Sequence, residues 1–240
     1  MTQAPGQQYL PDAATLAAQG GHPALRPRDA ATLLLLRRDQ GKTQVLSGRR
    51  SDQHTFMPGV YVFPGGRRDP ADSRIAVSGA LQEAMAAKLA YKSGARMTEA
   101  RMRALAVAAI RETYEEVGLS IGLPNAACRA VLPFTPDIGA LRLVGRAITP
   151  PGRARRFDTR FFALFAEDVN LDFSGLRPSA ELDSLEWVDV EATGSLKMPG
   201  ITLAILADIA AMLKLSPDLA LDLPVPFYYM RRGKFIREEI

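Results

Sequence analysis

Arg111-Glu112-Thr113-Tyr114-Glu115-Glu116-Val117-Gly118-Leu119 is the stretch on which the reading of this chain turns. At about 100° per residue, Ala106, Val107, Ile110, Tyr114 and Val117 share the apolar face of one helix. Glu112, Glu115 and Glu116 stand at i, i+3 and i+4 and gather on the opposite face. Like charges so placed repel by roughly 0.2–0.5 kcal/mol per pair, too little to forbid an ordinary amphipathic helix with a solvated acidic side. Beside that plain reading stands a functional one. Three carboxylates on one rigid face suit a hard divalent cation, Mg²⁺ or Mn²⁺, which takes oxygen donors and shares its coordination with substrate phosphates.

Outward from this stretch, Thr98 with Glu99 starts the helix and Gly118 ends it. Residues 78–92 form an earlier helix with Leu81, Met85 and Leu89 at i, i+4 and i+8. That stripe needs a partner surface, in this domain, in a second subunit or on a substrate tail. Strands are expected at residues 31–38, 43–49 and 60–63, the first two joined by Asp39-Gln40-Gly41-Lys42. Further strands fall at 142–148, 159–166 and 184–188, followed by a helix over 201–214 and a hairpin around Arg232-Gly233. Strands before, between and after helices predict a mixed α/β domain over residues 31–240. Residues 1–30, rich in Ala, Gln, Gly and Pro, read as a loosely ordered arm.

Upstream, Phe63-Pro64-Gly65-Gly66 closes a strand with two glycines, which permit positive φ or a close approach of backbone to ligand. A plain tight turn is the alternative. Hydrophobic residues at 47% and charged residues at 23% of the 240 exclude disordered and fibrous classes. The longest apolar run, Leu33 to Leu36, is stopped by Arg37-Arg38, far short of the ~20 residues of a membrane span. The single cysteine, Cys128, excludes an internal disulfide, and residues 1–21 carry no export signal, so a cytoplasmic protein is expected. The net charge of +4 comes from 30 Lys+Arg against 26 Asp+Glu, in short clusters such as Arg49-Arg50, Arg67-Arg68 and the arginines of 153–156. Scattered in this way they read as solvated surface and predict no nucleic-acid partner, while the weak positive field suits a small anionic substrate.

Residues 111–119 resemble the second half of the Nudix box, G-x5-E-x7-R-E-U-x-E-E-x-G-U with U bulky and apolar. Only Thr113, at the first U of this half, departs from it. Five fixed residues at that spacing recur by chance about once in 10⁴ chains of this length. The first half is displaced. Asp72 follows Gly66 by six positions in place of the usual Glu, and Gly66 and Arg111 are 45 positions apart where the box has 14, so about 31 residues (roughly 73–103) are inserted. The stretch ahead of the box is similar to that of the coenzyme A diphosphatases of the family. Arg50-Ser51, Gly59 and Phe63-Pro64-Gly65-Gly66 hold the spacing, and Thr55 replaces a second arginine. Residues 56–59 and 66–72, with the insertion, look like a divergent peroxisomal-type branch.

This resemblance implies an α/β/α sandwich around a mixed β-sheet with a helical insertion. It implies Mg²⁺- or Mn²⁺-dependent cleavage of a nucleotide diphosphate, with coenzyme A or an acyl-coenzyme A as first candidate. ADP-ribose, a dinucleotide or a non-catalytic nucleotide-binding module are the alternatives. Metal ligands are then Glu112, Glu115, Glu116 and the Gly66 carbonyl, with Arg111 orienting the carboxylates. Arg50, Ser51, Gly65, Gly66 and Arg67 are expected to contact substrate. Glu181 is the expected base, with Asp183 and Glu186 as rivals. His22 and His54 are read as solvated and Cys128 as inert. A small-molecule nucleotide is the expected partner, without nucleic acid or membrane, and a homodimer is compatible.

Overall fold

The computed structural model describes residues 4–10, 21–23, 25–53, 57–125, 132–192 and 196–240. His54, Thr55 and Cys128, and residues 1–3, 11–20 and 24 of the expected arm, lie outside the described residues. The strands in chain order are β1 Arg28–Asp39, β2 Lys42–Arg50, β3 Tyr61–Val62, β4 Gly65–Arg67, β5 Gly122–Pro124 and β6 Phe134–Pro136. β7 Arg142–Ile148, β8 Phe157–Phe165, β9 Leu182–Asp189, β10 Pro226–Arg231 and β11 Lys234–Glu239 follow. The helices are α1 Glu83–Ala90, α2 Glu99–Val117 and α3 Gly200–Leu215.

One mixed sheet runs β11-β10-β7-β8-β1-β2-β3, with β4 added on β1 and β9 on β2, while β5 and β6 form a separate pair. β1 is central and pairs in parallel with β8 from Arg28 opposite Phe157 to Leu36 opposite Phe165. Successive strand residues face opposite sides of a sheet. Leu33, Leu34, Leu35 and Leu36 are nevertheless all fully buried, so both faces of the sheet are covered. Residues 28–30, expected in the arm, belong to β1. Buried Asp29 draws them in, because Arg68, Arg101 and Arg160 converge on its carboxylate.

The helix carrying the glutamates runs as expected from cap to cap. The Thr98 hydroxyl accepts from the Arg101 N–H, and Gly118 ends the helix at φ +80°, a conformation that strains any residue with a side chain. α1 is shorter than the predicted 78–92. Ser78 is drawn into bridge pairing with Asp137 and Gly79 takes φ +71°, so the chain turns helical only after Gln82.

Of the three partners open to its stripe, this domain is the one seen: Met85 and Leu89 are buried in the common core and Leu81 packs at its edge. Polar ties hold the same segment. Lys88 donates to the Leu221 carbonyl at 2.6 Å, Arg146 to the Tyr91 carbonyl at 2.6 Å and Arg160 to the Ser93 hydroxyl at 3.0 Å. Both arginines are buried and share Asp158, Arg146 through two parallel 2.8 Å bonds. Buried charges persist where they are paired and hydrogen-bonded in this way.

Candidate active site

The acidic face of α2 is not the solvated surface of an ordinary amphipathic helix. Strand β4 lies along it in three consecutive steps. The Gly65 N–H donates to Glu116 at 3.0 Å. Gly66 abuts Glu112 so closely that a Cβ there would stand 2.5 Å from its carboxylate. The Arg67 carbonyl accepts from Arg111 at 3.1 Å. The two glycines are therefore strand residues needed for close approach, and neither has a positive φ.

Arg111 organises the face. Its guanidinium meets Asp72 at 2.8 Å, Glu112 at 2.9 Å and, one turn on, Glu115 at 2.8 Å. Burial opposes its charge, but Asp72, Glu112 and Glu115 together hold the group above its ordinary range. Asp72 is itself buried and accepts the Asp69 N–H at 2.7 Å, closing the capping box of the 3-10 turn Pro70–Arg74. Thr113 departs from the motif but fills its place in the core, where it is fully buried and its hydroxyl donates to the Ala109 carbonyl at 2.8 Å.

Electrostatically the face is poised for positive charge. Burial pushes the Glu116 carboxyl up to about 8, against the Gly65 N–H, and the negative charges of Glu112 and Glu181 add to the rise while Arg50 opposes it. Glu112 is raised as well, first by burial, with Arg111 opposing and Glu115 and Glu181 adding. Arg50 feels the opposite pressure. Burial lowers its guanidinium, which Glu116 and Glu181 sustain and Arg155 repels. Glu181 thus joins the charge cluster, delivered by register. Arg50 at the end of β2 lies opposite Leu182, and the Ser51 N–H donates to the Glu181 carbonyl at 3.0 Å.

Glu181 makes no side-chain hydrogen bond or salt bridge among the described residues, whereas its two rivals are engaged. Asp183 pairs with Arg49 at 2.7 Å and Glu186 accepts from the Tyr61 hydroxyl. His22 is exposed. Arg67 is exposed and lines a cleft beside the site.

In one respect the arrangement differs from expectation. Among the described residues, no three acidic, histidine or cysteine side chains stand at metal-ligand spacing. Arg111 draws Glu112 and half-exposed Glu115 to itself, while Glu116 turns to Gly65. The donor set still fits a hard cation. Glu112 and Glu116 are carboxylates held away from water and pressed by a third negative charge, and the missing side chain of Gly66 leaves room beside them.

No protein-family model and no curated protein matches the chain. Solved structures do. A Nudix hydrolase from Alicyclobacillus acidocaldarius superposes with a TM-score of 0.54 at 28% identity, over 76% of this chain and 91% of that one. RenU, a Nudix hydrolase from M. smegmatis, gives 0.46 at 17% over 79% and 88%. The C. elegans Ap4A hydrolase binary complex gives 0.44 at 16% over 78% and 98%. The first of these establishes the Nudix-type α/β fold for this chain. That structure is named as a Nudix hydrolase.

Proposed function

We propose that this chain is a Nudix-type diphosphatase that cleaves the bridging diphosphate of a nucleotide conjugate in the presence of Mg²⁺ or Mn²⁺. Coenzyme A or an acyl-coenzyme A is the first candidate, giving 3′,5′-ADP and the 4′-phosphopantetheine species. The observation that carries this reading is the stacking of β4 on the α2 carboxylates, with Gly65 on Glu116, Gly66 against Glu112 and the Arg67 carbonyl on Arg111.

A bridging diphosphate resists hydrolysis because its negative oxygens repel an incoming nucleophile. Glu112, Glu115, Glu116 and the Gly66 carbonyl would hold a divalent cation, which would supply charge neutralisation and a more acidic bound water. The protein's own groups do the rest. Asp72 fixes Arg111, which sets the rotamers of Glu112 and Glu115. Arg50, sustained by Glu116 and Glu181, offers a permanent charge to a phosphate oxygen. Glu181, with no side-chain bond among the described residues, takes the proton of the attacking water, and the bond from the attacked phosphorus to the bridging oxygen breaks.

The test is a panel of coenzyme A, acetyl-coenzyme A, ADP-ribose and diadenosine polyphosphates with Mg²⁺ or Mn²⁺, products identified by mass. Coenzyme A is expected to yield 3′,5′-ADP. Efficient cleavage of ADP-ribose with none of coenzyme A or its thioesters moves the substrate to the other class, and binding without turnover of any compound makes the chain a nucleotide-binding module.

A further inference from the structure

Arginines far apart in the chain line one continuous cleft beside the candidate site. Two cavities, of about 340 and 860 Å³, share Pro27, Arg28 and Arg67 as a common wall. The larger is closed by Arg26, Arg155 and Arg156, and the smaller by Arg68 and Arg101. Asp29 is the only acid among the described lining residues, and it is buried and already engaged with Arg68, Arg101 and Arg160. Arg156 is used in construction, donating to the Thr149 and Leu25 carbonyls, while its own carbonyl accepts from the Arg28 N–H. These bonds fix the 25–28 segment to the β7–β8 connection as opposite walls. Arg26, Arg28, Arg67 and Arg155 remain, with no salt bridge to any carboxylate among the described residues.

The cleft has a direction. Along β4 the contacts with α2 run from Glu116 at Gly65 to Arg111 at Arg67, and the cleft begins at Arg67 and continues past Arg28. It therefore leads away from the carboxylates, whereas Arg155 is near enough to Arg50 for their charges to repel. We propose that this cleft is a subsite for a phosphate that the substrate carries in addition to its bridging diphosphate. The ligand class is a nucleotide conjugate with a phosphomonoester on its ribose. The inference rests on the diphosphatase reading for the identity of the substrate, but not for the existence of the site. A phosphomonoester brings a charge of about −1.5 to −2 and three acceptor oxygens, which match forked guanidiniums. A volume of 860 Å³ suits a small molecule. Nucleic acid fits less well, since Phe157 is the one aromatic among the described lining residues and a bound strand needs successive stacking platforms.

The test is calorimetric titration of the full chain with adenosine 3′,5′-bisphosphate and with adenosine 5′-monophosphate, two probes that differ by one phosphate. The bisphosphate is expected to bind at least about ten-fold more tightly, on the scale of charge-assisted bonds. Arg28→Ala combined with Arg155→Ala is expected to erase that advantage while changing monophosphate binding less than about two-fold. Arg155→Gln alone, in an exposed connection, is expected to reduce it in part and guards against misfolding of the double variant. Equal affinities for the two probes, or an advantage that survives the substitutions, overturn the proposal. So does tighter, arginine-dependent binding of a single-stranded oligonucleotide than of the bisphosphate. Turnover separates this idea from the one it builds on. Failure to cleave any compound of the substrate panel, coenzyme A and its 3′-dephospho form included, with the bisphosphate preference intact, removes the diphosphatase reading and leaves the subsite standing. Cleavage of both without any preference does the reverse.

Discussion

Glu116 is a carboxylate kept where a carboxylate is uncomfortable. It is 8% exposed, faces two other acids and has one backbone donor, which points to a role other than holding the fold. Replacing it by Gln keeps the shape and relieves the buried charge. Turnover by Glu116→Gln is therefore expected to fall at least ~10²-fold, while its urea midpoint holds or rises. A loss of both would mark the residue as structural. Asp72 makes the opposite case. Asp72→Ala takes from the buried Arg111 guanidinium its one fully buried carboxylate, leaving Glu112 and half-exposed Glu115, and urea unfolding is expected to show a loss of about 3 kcal/mol, with Asp72→Asn intermediate. An unchanged midpoint contradicts that account. At this scale the motif was readable where residues lie one helical turn apart, and the Arg111–Glu115 pair stands at its expected i, i+4 spacing. The partnership of Arg111 with Asp72, 39 positions away, was masked by the segment between them.

The segment of residues 78–93 behaves as core. Its stripe was visible as a period, but periodicity does not say which surface receives it. Met85 and Leu89 answer that by burial in the common core, and Lys88, Tyr91 and Ser93 by the polar ties they make. Leu89→Ala is thus expected to destabilise the chain by about 2–5 kcal/mol in denaturant unfolding. Deletion of residues 78–92 is then expected to abolish folding rather than alter substrate range alone, and a folded deletion variant with normal stability contradicts this. Strand and helix centres were legible from alternation and from the Thr98 and Gly118 caps. The start of α1 was not, because the pairing of Ser78 with Asp137 is a long-range event that local spacing cannot register.

Across the whole molecule, charge is organised by topology. Arginines at 26, 28, 67, 68, 155 and 156 look like scattered surface residues when read in line, and only the joining of β1 to β4 and β8 brings them to one cleft. Asp29 anchors that convergence. Burial raises its carboxyl, but bonds and charges from Arg101, Arg160 and Arg68 outweigh burial and hold it below 3.8. A lowered folded-state value means that the unfolded chain binds the proton first as pH falls. The stabilisation is therefore complete above about pH 4 and lost progressively below it. Unfolding midpoints measured from pH 6 to pH 2.5 are expected to fall more steeply for the natural chain than for Asp29→Asn, which starts lower. Parallel curves exclude Asp29 as the source.

The parallel pairing of β1 with β8 also sets a timetable. Leu33 to Leu36 leave the ribosome as a greasy ribbon whose lateral partner, ending at Phe165, is still about 130 residues from being made. At about 5–20 residues per second, that ribbon waits on the order of 6–26 s with one edge open. A central strand of the sheet is synthesised among the first and completed only when β8 arrives. During that interval the nascent chain presents a short leucine-rich segment of the kind that holdase chaperones clasp, and its yield in a cell depends on how well the segment is sheltered until the other half of the sheet arrives.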